Sequence, residues 1–246
     1  MEIADNSAIV AVVFGSTSNK SAKLGNLALR ELDKGLNEFT SKRYELAISS
    51  FNQAIRLAPS ADSAINAYDY MARAQLSQGD ADAAIESYKK ALKIAPNRDD
   101  LHSRLGNIYT TQGRLDEARG EYELAVKYNP VAANRYSLGQ GYLATGRLYE
   151  AKAQFELVRQ LSPKEPCGDF GLGQVYAKQG KYDFAIDAFN AAINIKPDYW
   201  EAYSEMGYAL TDSGDVAKAQ EVADSLLAND ETLANNLSQY IYEKAN

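Results

Sequence analysis

Residues Asp99–Val131 read DDLHSRLGNIYTTQGRLDEARGEYELAVKYNPV, and this stretch decides the fold. Its middle glycine, Gly113, and its terminal proline, Pro130, both recur along the chain at nearly constant distance. The matching glycines are separated by 34, 33, 34 and 34 residues, and they are Gly79, Gly113, Gly146, Gly180 and Gly214. A fixed period of this length is typical of a stacked repeat protein, so function is expected on a long surface.

Three other residue types keep the phase of these glycines. A small residue follows each turn, at Ala47, Ala84, Ala118, Ala151, Ala185 and Ala219. Four residues later, the first five repeats have an aromatic residue: Phe51, Tyr88, Tyr122, Phe155 and Phe189. The repeats close on Pro59, Pro96, Pro130, Pro163 and Pro197. This spacing predicts two amphipathic helices per repeat, with a glycine turn between them and a proline that stops the second helix.

The pattern resembles the tetratricopeptide repeat family. The residues that carry the resemblance in the quoted stretch are Leu105, Gly106, Tyr109, Gly113, Ala118, Tyr122, Ala125 and Pro130. The resemblance implies an all-α protein, a right-handed α-solenoid of six tandem helix-turn-helix repeats with a C-terminal capping helix. The predicted repeats are residues 29–61, 65–98, 99–131, 132–165, 166–199 and 200–230.

Both ends of the array depart from the pattern. The first repeat lacks the turn glycine, and the sixth has Ala223 in place of the aromatic residue and no closing proline. Residues 231–246 are predicted to form a helix that caps the exposed end of the solenoid. Residues 1–28 lie before the first repeat and contain the short β-prone run Ile9–Val13, with turn and linker residues on either side.

The resemblance also implies that the first helix of each repeat lines a concave groove, which binds an extended peptide or a single helix. The family's alignment carries this groove onto the fifth and ninth positions of each repeat. The predicted groove residues are Asn37, Arg73, Asn107, Tyr136, Gln140, Phe170, Gln174 and Tyr208. The implied function is that of a non-enzymatic scaffold for protein–protein interaction.

Two kinds of groove side chain suggest what the partner is. Amides both donate and accept hydrogen bonds, so a series of them can pair with the backbone of an extended peptide. The aromatic residues offer flat apolar area with little rotamer entropy to lose. Near one end of the groove, Asp33, Asp69 and Asp100 indicate tolerance of lysine or arginine. The expected partner is a protein or peptide with basic or aromatic side chains.

The N-terminal run provides an alternative function. Its apolar side chains would be an aggregation hazard in water, so we expect them to be covered. The segment caps its own array, inserts into another copy, or is disordered or part of a partner interface. Insertion would give a self-assembling structural protein that polymerises head to tail. The residues assigned to this contact are Ile9, Val10, Val12, Val13 and Phe14.

Composition argues against several classes of function. A net charge of −7 disfavours a nucleic-acid partner, which calls for clustered lysine and arginine. The run of seven apolar residues is too short to span or insert into a membrane, and no basic residue precedes it as in a signal peptide. One cysteine and one histidine predict no metal site, and we assign no catalytic residue and no cofactor. The lack of a convincing signal peptide or membrane span slightly favours a cytoplasmic location.

Overall fold

The protein is built of helices that follow one another in pairs. The computed structural model describes the backbone of residues 6–245 and the side chains of residues 21–244. This part of the chain contains thirteen helices and no strand, which confirms the all-α helical-repeat fold. The helices are α1 (Asn6–Thr40), α2 (Tyr44–Leu57), α3 (Asp62–Ser77), α4 (Ala81–Ile94), α5 (Asp99–Thr111), α6 (Leu115–Tyr128), α7 (Ala132–Ala144), α8 (Leu148–Leu161), α9 (Cys167–Lys178), α10 (Tyr182–Ile195), α11 (Trp200–Ser213), α12 (Val216–Leu227) and α13 (Glu231–Ala245).

The chain divides into two compact units, residues 1–108 and 109–246, each with its own buried core. In the first unit, α1 packs on α2 and α3, and the core is centred on Phe51. In the second unit, α9 contacts α7, α8, α10 and α11. The first helices of successive pairs, α7, α9 and α11, therefore lie side by side within the second unit. We call the surface that these three helices form the first-helix face.

Left-handed residues make the turns within the helix pairs. All five periodic glycines have φ between 69° and 93°, a range that glycine enters without steric cost. The backbone amide of Gly113 donates a hydrogen bond to the Thr110 carbonyl at 3.0 Å. The backbone amide of Arg114 donates one to the Tyr109 carbonyl at 2.8 Å. The first repeat makes the same turn with Lys42 at φ 58°. A missing glycine has therefore not changed the geometry of that turn.

The periodic aromatic residues are buried in the cores, and the rings of Phe51, Tyr122, Phe155 and Phe189 each rest on a glycine of a neighbouring helix. Phe155 is fully buried, and its ring atoms lie 2.6 Å from where a Cβ on Gly139 would stand. Phe189 and Gly173 repeat this arrangement at 2.5 Å. Burying one phenylalanine side chain contributes about 1.5–3 kcal/mol, so each aromatic–glycine contact is a large part of the stability of its repeat.

The last helix covers the end of the second unit. α13 packs on both α11 and α12 and buries Ala234, Leu237 and Ile241. Its position is also held by polar contacts to Asp212 of α11: the Tyr240 hydroxyl donates a hydrogen bond at 2.8 Å and Lys244 Nζ lies at 2.8 Å. The apolar face of α11 is therefore not left open to water.

The expectation of a β-prone segment before the first repeat is wrong for the backbone that is described. The run Ile9–Val13 lies inside α1, which continues without interruption to Thr40. A helix satisfies the backbone hydrogen bonds within the segment, whereas a strand needs a partner, and extending an existing helix avoids a new nucleation step. The side chains of residues 1–20 lie outside the described set, so self-association through them stays a prediction.

Candidate functional site

Two glutamines from successive repeats are joined on the first-helix face. Gln140 of α7 and Gln174 of α9 occupy equivalent positions 34 residues apart. Gln140 Nε2 donates to Gln174 Oε1 at 2.9 Å and to the Tyr136 hydroxyl at 3.0 Å. Three residues predicted for the groove are thus brought into one hydrogen-bonded chain. Both Nε2 hydrogens of Gln140 are used in these two bonds. The polar atom of Gln140 that is left for a partner is Oε1, which accepts hydrogen bonds.

Sequence reasoning missed Glu205 of α11, whose carboxyl lies close enough to Gln174 and Lys178 for both to act on its pKa. Burial raises the pKa of the Glu205 carboxyl above its ordinary value, while the charge of Lys178 and a hydrogen bond from Gln174 act in the opposite direction. Glu205 lies one position beyond Ser204, the residue at the fifth position of its repeat. A reading limited to positions five and nine could not include it.

Tyr199 is a second missed residue, and it comes from the loop before α11. Its ring lies 4.9 Å from that of Phe170, centroid to centroid. Burial raises the pKa of Tyr199, and the nearby Tyr136, Glu201, Cys167 and Glu205 raise it further. The hydroxyl is therefore neutral at physiological pH and can donate a hydrogen bond. The sequence signal that could have identified it is its position two residues after Pro197, because the loop that follows this proline leads into the first-helix face.

Phe170 lies in the core, and its assignment to an open groove is wrong. Only 6% of the residue is exposed, and its ring packs on Phe189 at 5.8 Å as well as on Tyr199. Beside it on α9, the space at Gly171 is filled by the ring of Phe155 and the space at Gly173 by the ring of Phe189. Burial of the ring is worth more than its exposure to a partner, so Phe170 supports the face from beneath.

The ring of Tyr208 is also partly covered, in this case by the protein's own C-terminal helix. Its ring meets Tyr240 of α13 edge to face, with the centroids 5.0 Å apart. The residue is half-buried rather than fully open. The C-terminal helix therefore covers part of the position that the sequence assigned to a partner.

The other three predicted groove residues belong to the first unit. Asn37 and Asn107 are exposed on α1 and α5. The Arg73 guanidinium stacks over Tyr70 at 4.7 Å and Phe39 at 5.3 Å, so its side chain has aromatic neighbours in its own repeat and in the repeat before it. The amide-to-amide contact between Gln140 and Gln174 lies within the second unit.

The acidic residues expected to receive a basic partner are largely paired with the chain's own arginines. Asp100 accepts two hydrogen bonds from Arg98, at 2.7 and 2.8 Å, and these lower its pKa. Asp69 is buried, and its Oδ1 lies 3.5 Å from Arg104 Nε. Burial raises the pKa of Asp69 despite this arginine. Asp33 is exposed on α1. The expectation of an open acidic end is therefore wrong for Asp69 and Asp100.

The described residues hold little that could support chemistry. Within residues 21–244, no three histidine, cysteine or carboxylate side chains are grouped in a way that could hold a metal ion. Burial raises the pKa of the Cys167 thiol, which is the opposite of what an activated nucleophile needs. Among the described residues, no helix is both long and apolar enough to cross a membrane.

Family models of the tetratricopeptide repeat match three stretches of this chain, residues 27–97, 75–140 and 173–214. Among curated proteins, photosystem I assembly protein Ycf3 of Synechococcus sp. strain CC9605 is 30% identical over 41% of this chain and 58% of its own length. The peroxisomal targeting signal receptor of Yarrowia lipolytica is 29% identical over 54% of this chain and 24% of its own length. The chain thus spans less than two thirds of either relative.

A solved structure shows the same fold over most of the chain. A tetratricopeptide repeat protein from Parabacteroides merdae superposes with a TM-score of 0.78 and covers 90% of both chains. The two sequences are 20% identical. At this sequence identity the structural similarity shows a shared fold and nothing about function.

Proposed function

We propose that this chain, which belongs to the tetratricopeptide repeat family, is a non-enzymatic protein-interaction scaffold that binds an extended peptide or a helix on the first-helix face. The observation that carries the proposal is the hydrogen bond between Gln140 and Gln174 beside the Tyr136 ring. The Yarrowia lipolytica relative is a peroxisomal targeting signal receptor, and this supports a role in polypeptide recognition.

The amide pair has the hydrogen-bonding capacity that a peptide backbone needs. Gln140 Oε1 is an unused acceptor within the described residues, and Gln174 Nε2 has at least one hydrogen left to donate. An extended backbone presents N–H and C=O groups in alternation, so one of each can be met here without reading any side chain. The internal hydrogen bonds hold both amides in place, which reduces the entropy lost on binding.

Peptide selection tests the proposal. Random twelve-residue peptides displayed on phage are selected for binding to the full chain. The affinities of the selected peptides are then measured by fluorescence anisotropy. The Gln140→Ala/Gln174→Ala variant should bind about tenfold more weakly, since each neutral hydrogen bond contributes about 0.5–1.5 kcal/mol. The matched control, Gln160→Ala/Gln220→Ala, removes two exposed glutamines from α8 and α12 and should bind as the parent does.

Two outcomes would contradict the proposal. One is that no peptide is enriched over a chain-free surface. The other is that the selected peptides bind the Gln140→Ala/Gln174→Ala variant as tightly as the control, which would place recognition elsewhere on the protein.

A further inference from the structure

A cavity of about 130 Å³ lies between α6 and α7 in the second unit. Its inner wall is made by three buried residues, Ala118, Tyr122 and Gly141. Gly141 presents bare backbone at the position where the first helices of the neighbouring repeats have the buried side chains of Ile108 and Val175. The branched side chain that these two repeats bury is therefore missing from the repeat between them.

The Tyr122 ring forms one side of this α6–α7 cavity and is held in place. Its Cδ2 atom lies 3.0 Å from where a Cβ on Gly141 would stand, and its hydroxyl lies 3.1 Å from Thr110 Oγ1. A ring that is fixed both at its edge and at its hydroxyl does not turn to fill the space. The atoms that line an empty cavity lack contact partners on one side, so an occupant of the right size is favoured.

The lining determines the chemistry of that occupant. Among the described residues, those that line the cavity are apolar except for Thr110 and Gln140, and none of them is charged. A charged side chain would lose its water here without gaining a partner. An apolar protein cavity of about 150 Å³ accepts benzene, so this slightly smaller one suits the side chain of leucine, isoleucine or methionine.

The cavity is accessible from the side on which the amide pair lies. Gln140 lines it, is half-buried and donates to Gln174 at 2.9 Å. Ala144, one turn further along α7, lines it as well and is exposed. Successive side chains of an extended peptide point to opposite sides, so a backbone that pairs with Gln140 can direct one side chain into the cavity.

We infer that the polypeptide bound on the first-helix face inserts one leucine, isoleucine or methionine side chain into the α6–α7 cavity, while its backbone pairs with Gln140 and Gln174. This inference rests on the function proposed above and names the chemistry of the partner. The amide pair does not read side chains, so the cavity supplies the selectivity that the pair lacks.

The test repeats the phage selection of twelve-residue peptides in parallel on the full chain, on Ala144→Leu and on the control Ala153→Leu. The leucine at residue 144 fills the mouth of the cavity from an exposed position, whereas Ala153 is exposed on α8 and does not line it. We expect leucine, isoleucine or methionine to be enriched at one position of the peptides selected on the parent and on Ala153→Leu, but not on Ala144→Leu. A parent-selected peptide should bind Ala144→Leu at least about tenfold more weakly, as expected when a buried aliphatic side chain is expelled.

The peptide gives an independent result. Replacing its enriched aliphatic residue by alanine should weaken binding to the parent about tenfold and change binding to Ala144→Leu much less, because the two changes remove the same contact. Circular dichroism shows whether each variant keeps its helices.

Two results would overturn the inference while leaving the proposed function in place. One is that the peptides lose affinity for Gln174→Ala, which alters the amide pair and not the cavity lining, but show no aliphatic enrichment. The other is that they bind Ala144→Leu and Ala153→Leu equally. Peptides that bind the Gln140→Ala/Gln174→Ala variant as tightly as the parent overturn the proposed function instead.

Discussion

The backbone nitrogen of Arg159 lies 2.7 Å from the position that a Cβ atom on Gly168 would occupy. Helices α8 and α9 therefore approach each other through main chain, with no flexible side chain that could move aside. This contact joins one repeat to the next within the second unit.

Gly168→Ala should destabilise the protein by about 1–3 kcal/mol, because the new methyl group forces the two backbones apart. Gly120→Ala is the matched control, since a Cβ there would meet nothing within 4 Å in the middle of α6. It should stabilise the chain by about 0.5–1 kcal/mol through helix propensity. Urea unfolding followed by circular dichroism compares the midpoints. Equal shifts for the two variants would show that the α8–α9 approach is looser than 2.7 Å.

Lys42→Gly should stabilise the first unit by up to about 1 kcal/mol. Lys42 has φ 58°, and the strain of a left-handed residue with a Cβ exceeds the entropy that glycine gains in the unfolded chain. Gly79→Ala makes the opposite change at the equivalent turn, where φ is 83°, and should lower stability. The measurement is again the urea midpoint. A loss of stability in Lys42→Gly would mean that the lysine side chain contributes more than its backbone costs.

Leu237→Ala should cost about 2–5 kcal/mol, because the side chain is fully buried between α13 and α11. The control is Tyr242→Ala on the same helix, where the residue is 66% exposed and the expected change is within about 0.5 kcal/mol. Hydrogen exchange should show that protection is lost first in α13. Unchanged exchange in that helix would contradict its role in covering α11.

Glu205→Gln should raise the melting temperature at pH 7 and have almost no effect at pH 4. Burial raises the pKa of Glu205 in the folded state, so ionisation destabilises the fold as pH rises through that value. Below the unfolded pKa of about 4.3 the carboxyl is protonated in both states, and the penalty disappears. Glu221→Gln is measured alongside for the general effect of removing one negative charge. A gain in Glu205→Gln that is equal at both pH values would rule out this origin.

The periodic part of the fold could be predicted from the sequence because the residue at each of its positions is determined by local backbone geometry or by the apolar stripe of one helix. Gly113 is a turn residue since only glycine enters the left-handed region freely, and the buried Phe155 follows from the apolar stripe of its helix. The run Ile9–Val13 was misread because β-branched residues disfavour a helix by only tenths of a kcal/mol each, which continuity with α1 overrides.

The face itself could be predicted only in part, because it depends on contacts between repeats. The pairing of Gln140 with Gln174 follows from equivalent positions on adjacent first helices. That Phe170 turns inward depends on its ring contacts with Phe189 and Tyr199, and Tyr199 joins the face from a loop. Neither feature leaves a signal in the residues at positions five and nine.

The position of a bound peptide tests the central proposal most directly. A selected peptide that carries a photoreactive benzophenone side chain is cross-linked to the full chain, and the attachment sites are identified by mass spectrometry. Binding on the first-helix face predicts cross-links to α7, α9 and α11, near Gln140, Gln174 and Glu205. Cross-links confined to α8 and α10, around the exposed Tyr149 and Phe184, would contradict it.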